Sequence, residues 1–139
     1  MTKFLNPDAT DFSISLRDDH KEIQELARDF ATNEVAPIAN KIDEEDHIPN
    51  SLIKKMSELG FLGVPYPSEY GGAGYDYLSM AIVIEELSRV DPSLGVMVAV
   101  HVGLCAMTIV LNGNEEQKKK YLPKLASGEY LGAYSLSEA

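Results

Sequence analysis

From Leu94 to Leu111 the chain runs eighteen residues without an Asp, Glu, Lys or Arg. A charge-free helix of that length has two homes, the hydrocarbon of a bilayer or the middle of a helical bundle. Asp91-Pro92 opens it in the manner of a soluble helix, with Asp91 as N-cap and Pro92 at the first helical position. His101 sits mid-segment, and the flanks carry neither a Lys/Arg cluster against an apolar end nor an aromatic belt. The expectation is a buried helix over about 92–111 and no membrane span.

The rest of the chain supplies helices to surround it. The 139 residues are enough for one domain. Leu16, Ile23, Leu26, Ala27, Phe30, Ala31, Ile38 and Ile42 follow helical spacing, with Ser15 as a candidate cap and Asp18 three residues on. Residues 1–14 read as an extended arm. Pro37 interrupts the first helix and predicts a kink or break, because it cannot bond to Asn33. A second helix begins near Pro49 and buries Leu52, Ile53, Met56 and Leu59, with Gly60 as its C′ residue and Phe61 closing onto Met56. Asp76 caps a third, 77–90, whose apolar face is Met80, Val83, Ile84, Leu87 and Val90. Asn114 and Gln117 form a capping box for a fifth, about 115–126, which Gly128 ends. Residues 129–137 alternate and contain β-formers, so they read as the start of a strand. The fold class is therefore all-α, a bundle of about five to six helices around the apolar one, with the beginning of a strand at the C-terminus.

Between the second and third helices lies Gly60-Phe-Leu-Gly-Val-Pro-Tyr-Pro-Ser-Glu-Tyr-Gly-Gly-Ala-Gly74. No regular element tolerates that density of Gly and Pro. Its Phe61, Leu62, Val64, Tyr66 and Tyr70 predict a packed connector. It is no phosphate loop, since it lacks Lys-Ser/Thr and the dinucleotide glycine spacing.

Several chemistries are disfavoured by composition. A net charge of −10 argues against nucleic acid. A lone cysteine, Cys105, supports neither a disulfide framework nor a zinc site and suits a reducing, cytoplasmic location. The N-terminal residues carry no apolar run long enough for a signal peptide. His20, His47 and His101 lie on separate elements without metal-ligand spacing, and Asp43-Glu-Glu-Asp-His47 reads as a solvated helix end. Cys105, four residues after His101, is a buried small residue before it is a nucleophile. His101 is either a satisfied core histidine or a polar group lining a pocket. Glu85-Glu86 point about 100° apart on a helix and read as a solvated face or a contact between subunits.

The order and spacing of Gly60-x-x-Gly-x-x-x-Pro-x-Glu-Tyr-Gly-Gly-x-Gly74, Ile84-Glu-Glu-Leu-Ser-Arg89, Ser93-Leu-Gly-Val96, His101-Val-Gly-Leu-Cys105, Gly113 to Pro123, Leu125-Ala-Ser-Gly128 and Gly132-Ala-Tyr-Ser-Leu-Ser-Glu138 resemble the N-terminal helical part of the acyl-CoA dehydrogenases. Within that family the chain is most similar to bacterial short-chain, butyryl-CoA-type members. The resemblance implies a division into 1–128, the helical domain, and 129–139, the first strand of a middle β-domain. It implies FAD as cofactor, an acyl-CoA thioester as substrate, α,β-dehydrogenation as the reaction, electron-transfer flavoprotein as acceptor and a homotetramer. By the same resemblance Tyr134, Leu136 and Ser137 contact the flavin. Met97, Val98, His101 and Leu104 are candidates for the wall of the acyl pocket, with plain core packing an equal reading for each. No catalytic residue and no metal ligand falls in these residues; the base carboxylate and most of the FAD site lie downstream in relatives, so the 139 residues alone are expected to be inactive. Acyl-CoA oxidases, nitroalkane oxidases and some flavin monooxygenases share the fold, and an assembly module without chemistry is a further reading.

Overall fold

The structure, a computed structural model, describes residues 15–137. The extended arm expected over 1–14 lies outside them. The described residues form the all-α bundle anticipated from sequence, as five rods. The first is α1 (Asp18–Phe30), a π-helical turn (Ala31–Val35), a 3-10 turn (Ala36–Ile38) and α2 (Ala39–Glu45). The others are α3 (Asn50–Glu58), α4 (Tyr77–Ser88), the continuous helix Pro92–Asn112, and α7 (Glu115–Ala126). Pro92–Asn112 comprises α5 (Pro92–Val98), a π-helical stretch (Ala99–Ala106) and α6 (Met107–Asn112).

Local chemistry explains most boundaries. Pro37 cannot donate to Asn33, and the helix around it widens and then tightens: Ala36 N–H reaches back five residues to Ala31 before the 3-10 turn. Asp76 accepts from Ser79 N–H, Asp91 from Ser93 and Leu94, and Asn114 from Gln117, whose side chain bonds back to the Asn114 amide. At the end of α3, Gly60 at φ +77 lets Gly60 N–H reach Ser57 O (3.0 Å) and Phe61 N–H reach Met56 O (2.9 Å). That is the Schellman closure expected there, and it sends the fully buried Phe61 into the core. The first helix differs from expectation: its N-cap is Arg17 and not Ser15, because Arg17 N–H is taken by His20 Nδ1 (3.3 Å).

The Gly/Pro connector is packed. Phe61, Leu62, Val64 and Tyr66 are fully buried. The loop doubles back on itself through Ala73 N–H to Gly63 O (2.8 Å), Tyr75 N–H to Val64 O (2.9 Å) and Gly74 N–H to Tyr66 O (3.1 Å). Its inner side rests on the end of α7, where Ala126 Cβ stands 3.3 Å from the Cβ position of Gly63.

Two expectations about the helices need correction. α4 lies between α1 and α5, and its buried face is Ser79, Ile82, Val83, Glu86 and Leu87; Met80, Ile84 and Val90 are only half-buried. The apolar helix Pro92–Asn112 is buried on one side. Leu94, Val98, Val102 and Ala106 are fully buried, whereas Val96, Leu104 and Leu111 are 61%, 46% and 69% exposed. By length and composition it remains able to cross a membrane. The strand expected over 129–139 is not formed among the described residues. A strand requires a partner edge, and residues 131–137 run without regular structure beside helices.

Candidate functional site

The C-terminal segment is tied to the apolar helix by His101. This residue is 1% exposed. Its Nε2–H donates to Leu125 O (3.1 Å) at the end of α7, and its Nδ1 accepts from Gly132 N–H (2.9 Å). A carbonyl only accepts and an amide N–H only donates, so these partners leave one form of the ring, the neutral Nε2–H tautomer. Burial pushes the His101 pKa down from its ordinary 6.5, in keeping with a neutral ring. The Cys–His pairing has no geometric support, since both ring nitrogens are engaged elsewhere.

The seven candidate residues divide by environment. Val98 is core, Met97 is half-buried and Leu104 faces outward on the apolar helix. His101 is a satisfied core histidine. Tyr134 and Leu136 are 47% and 71% exposed, and Ser137 is exposed too. Three clefts of about 460, 330 and 610 Å³ are lined by other residues: the first beside Asp46 and Asp91, the second beside Ile109 and Tyr121, the third beside Lys54 and Leu131.

Two polar clusters escaped the sequence reading. The first is Glu86, expected on a solvated face or at a contact between subunits. Its side chain is 3% exposed and bridges Arg28 (2.6 Å) on α1 and Arg89 (3.3 Å), the residue that caps the C-terminus of α4. The signal was present, since Glu86 is three and four residues after Val83 and Ile82 and so shares their stripe. The identity of its partner on α1 was not. Hydrogen bonding from Arg28 holds the Glu86 carboxyl below its usual range. Glu86→Gln should destabilise the domain by about 2 kcal/mol in urea unfolding, less than the roughly 3–5 kcal/mol of a fully buried pair, because both arginines are half-exposed. A loss under about 0.5 kcal/mol would place the charge outside the stability of the α1–α4 contact.

The second cluster joins the starts of α1 and α4. Buried His20 reaches Asp76 through Nε2 (3.0 Å), and Arg17 reaches the same carboxylate (2.8 Å). Asp76 is thus both the cap of α4 and a tether for the beginning of α1. The Ser79 amide, then Arg17 and His20, hold its carboxyl far below the ordinary range.

These groups fix the sign of the pH dependence. His101 is neutral in the fold and protonates more readily when unfolded, so its contribution is complete above about pH 6.5 and declines below it. Glu86 and Asp76 are ionised more readily in the fold, so their contribution is lost as pH falls through the carboxylate range. The thermal midpoint should fall gently below pH 6.5 and steeply below about 4.5. At the alkaline end, the Tyr70 phenol bonds to Glu115 (2.8 Å) and is pushed up to about 12, so its contribution fades as pH rises above 10. Melting followed by circular dichroism from pH 3 to 11 measures all three limbs; a midpoint that rises on acidification would contradict the assignment.

Comparison with known proteins brings these features together. Residues 17–129 match the family model described as "Acyl-CoA dehydrogenase, N-terminal domain". The chain is 48% identical over 125 residues to the short-chain specific acyl-CoA dehydrogenase of Clostridium acetobutylicum, covering 90% of this chain and 33% of that protein. It superposes with a TM-score of 0.82, at 42% identity, on the acyl-CoA dehydrogenase of Bacillus anthracis complexed with FAD, covering 89% of this chain and 21% of that one. A chain in the structure of the electron transferring flavoprotein of Acidaminococcus fermentans superposes with a TM-score of 0.86 at 41% identity, over 91% of this chain and 33% of that one. The 139 residues span about a third of the length of the curated relatives they match. They belong to the acyl-CoA dehydrogenase family, as its N-terminal helical domain.

Proposed function

We propose that this chain is the N-terminal helical domain of an FAD-dependent acyl-CoA dehydrogenase that acts on short acyl-CoA thioesters. The observation that carries the reading is the 48% identity, over nine-tenths of the chain, to a short-chain specific enzyme of that activity. FAD, when bound, supplies the acceptor for the hydride that leaves the β-carbon. The residues present fit a flavin edge. Tyr134 and Leu136 offer exposed apolar surface and Ser137 a hydroxyl, and residues 133–137 make no backbone hydrogen bonds among the described residues, so their amides and carbonyls are free to pair. In this reading 129–139 become the first strand of a β-domain once a partner edge is beside them. The half-exposed face of the apolar helix, with Met97 and Leu104, becomes a wall that keeps water from the acyl chain. Val98 and His101 support that wall from behind.

The base carboxylate and most of the FAD site then belong to the two-thirds of such an enzyme that these residues do not match, and the 139 residues alone are inactive. The assembled enzyme is a cytoplasmic homotetramer that passes electrons to an electron-transfer flavoprotein and spans no membrane. The test is to purify the protein at its full length, record its flavin spectrum and follow dye reduction with butyryl-CoA, isovaleryl-CoA and longer thioesters. Flavin absorbance with turnover fastest on butyryl-CoA is expected. A colourless protein would sink the reading, and oxygen consumption without added dye would reassign it to the oxidases.

A further inference from the structure

His101 does more than fill the core. We propose that it is a positioning residue: its imidazole pins Gly132 to the apolar helix and thereby sets where Tyr134, Leu136 and Ser137 stand against a flavin. This rests on the functional reading above.

Four observations carry it. From the apolar helix the ring bonds at once to the last turn of α7, twenty-four residues on, and to the C-terminal segment, thirty-one residues on, and its partners admit one tautomer. Water cannot replace either partner, because the ring is 1% exposed. Gly132 is also pressed against the next turn of the helix: a Cβ there would lie 2.6 Å from Cys105 Sγ and 2.7 Å from Cys105 Cβ, so the close approach needs glycine. Finally, Gly132 N–H is the last backbone donor engaged before 133–137, whose backbones make no hydrogen bonds among the described residues. Tyr134 follows two residues later and Leu136 four, within about 7 and 14 Å of chain. A displacement at Gly132 is therefore carried straight to them.

His101 and Cys105 both lie in the π-helical stretch Ala99–Ala106, a form that is rare and often found at functional sites. The other anchor is firm as well. Leu125 is buried in the turn that the Gly/Pro connector braces, with the Cβ position of Gly71 standing 3.5 Å from Ala126 Cβ.

The test uses two substitutions in the full-length protein. His101→Asn keeps an acceptor near the place of Nδ1 but does not reach Leu125. His101→Gln keeps a donor near the place of Nε2 but offers Gly132 no acceptor. Hydrogen exchange at Gly132 and FAD affinity by flavin fluorescence are measured for each, with circular dichroism to verify folding. In His101→Gln we expect exchange and the FAD dissociation constant both to rise about tenfold, the scale set by one buried hydrogen bond. His101→Asn should return both to within about threefold. Faster exchange with unchanged FAD affinity overturns the positioning role, and unchanged exchange overturns the pin itself. In the unsubstituted protein, nitrogen NMR of the ring should report Nε2–H; an Nδ1–H or charged ring at neutral pH also overturns it, whether or not the variants fold. Failure of the functional reading shows separately, as an unsubstituted protein that binds no FAD; the positioning role then falls with it while exchange still decides the pin.

Discussion

Replacing Phe61 with alanine is expected to cost the domain about 4 kcal/mol, read as a lower urea midpoint with an unchanged slope. Phe61 is fully buried and meets Phe30 edge to face, with ring centroids 5.7 Å apart at 75°. It joins the start of the connector to the last turn of α1, and removing it leaves a cavity between them. The backbone around it is fixed by the Schellman closure, so the walls cannot collapse to fill the space. Against a total stability of roughly 5–15 kcal/mol, that loss is between about a quarter and four-fifths of the whole. Leu26→Ala is the control. Leu26 belongs to the same helical pattern as Phe30 but is 42% exposed, so a change within about 0.5 kcal/mol is expected. Equal losses at the two positions would mean that burial is not what distinguishes them.

Gly72→Ala should cost about 3 kcal/mol, for a different reason. A Cβ at Gly72 would lie 2.0 Å from Tyr66 O and 2.6 Å from Tyr66 C. Tyr66 is itself fully buried, and its hydroxyl donates to Leu62 O, so neither strand of the loop can yield. The same carbonyl accepts from Gly74 N–H, and that bond would have to lengthen or break. Gly74→Ala separates collision from conformation. Gly74 sits at φ +73 with nothing within 4 Å of its Cβ position, so alanine there pays only the left-handed backbone term of about 1 kcal/mol. Similar losses at 72 and 74 would show that backbone conformation, and not the closeness of the two passes of chain, governs the loop. Because the loop braces the end of α7, Gly72→Ala should also quicken hydrogen exchange at Leu125 and its neighbours.

The elements that were legible in the sequence are those whose causes are local. Asp76, Asp91 and Asn114 cap the helices they were expected to cap, and Gly60 closes α3 as its spacing with Met56 and Phe61 required. In each case donor and acceptor lie within five residues, so side-chain type and spacing suffice. Ser15 failed as a cap for a local reason too: His20, in the first turn of α1, accepts from the Arg17 amide and makes Arg17 the N-cap. The family was legible because several such local motifs recur in one order. Glu86 was misread because its partner Arg28 is fifty-eight residues away, and helix spacing gives the face of a residue but not what that face meets.

The apolar helix shows the boundary between the two kinds of information. Its existence, its start at Asp91-Pro92 and its lack of charge were determined by the sequence alone, because helix propensity, capping and hydropathy are properties of a short stretch of chain. Which side of it would be buried, that His101 would be spent on Leu125 and Gly132, and that Val96, Leu104 and Leu111 would face outward were decided only when α4, α7 and the C-terminal segment came together around it. Burial and hydrogen-bond pairing are properties of two surfaces at once, and one of those surfaces is always somewhere else in the chain.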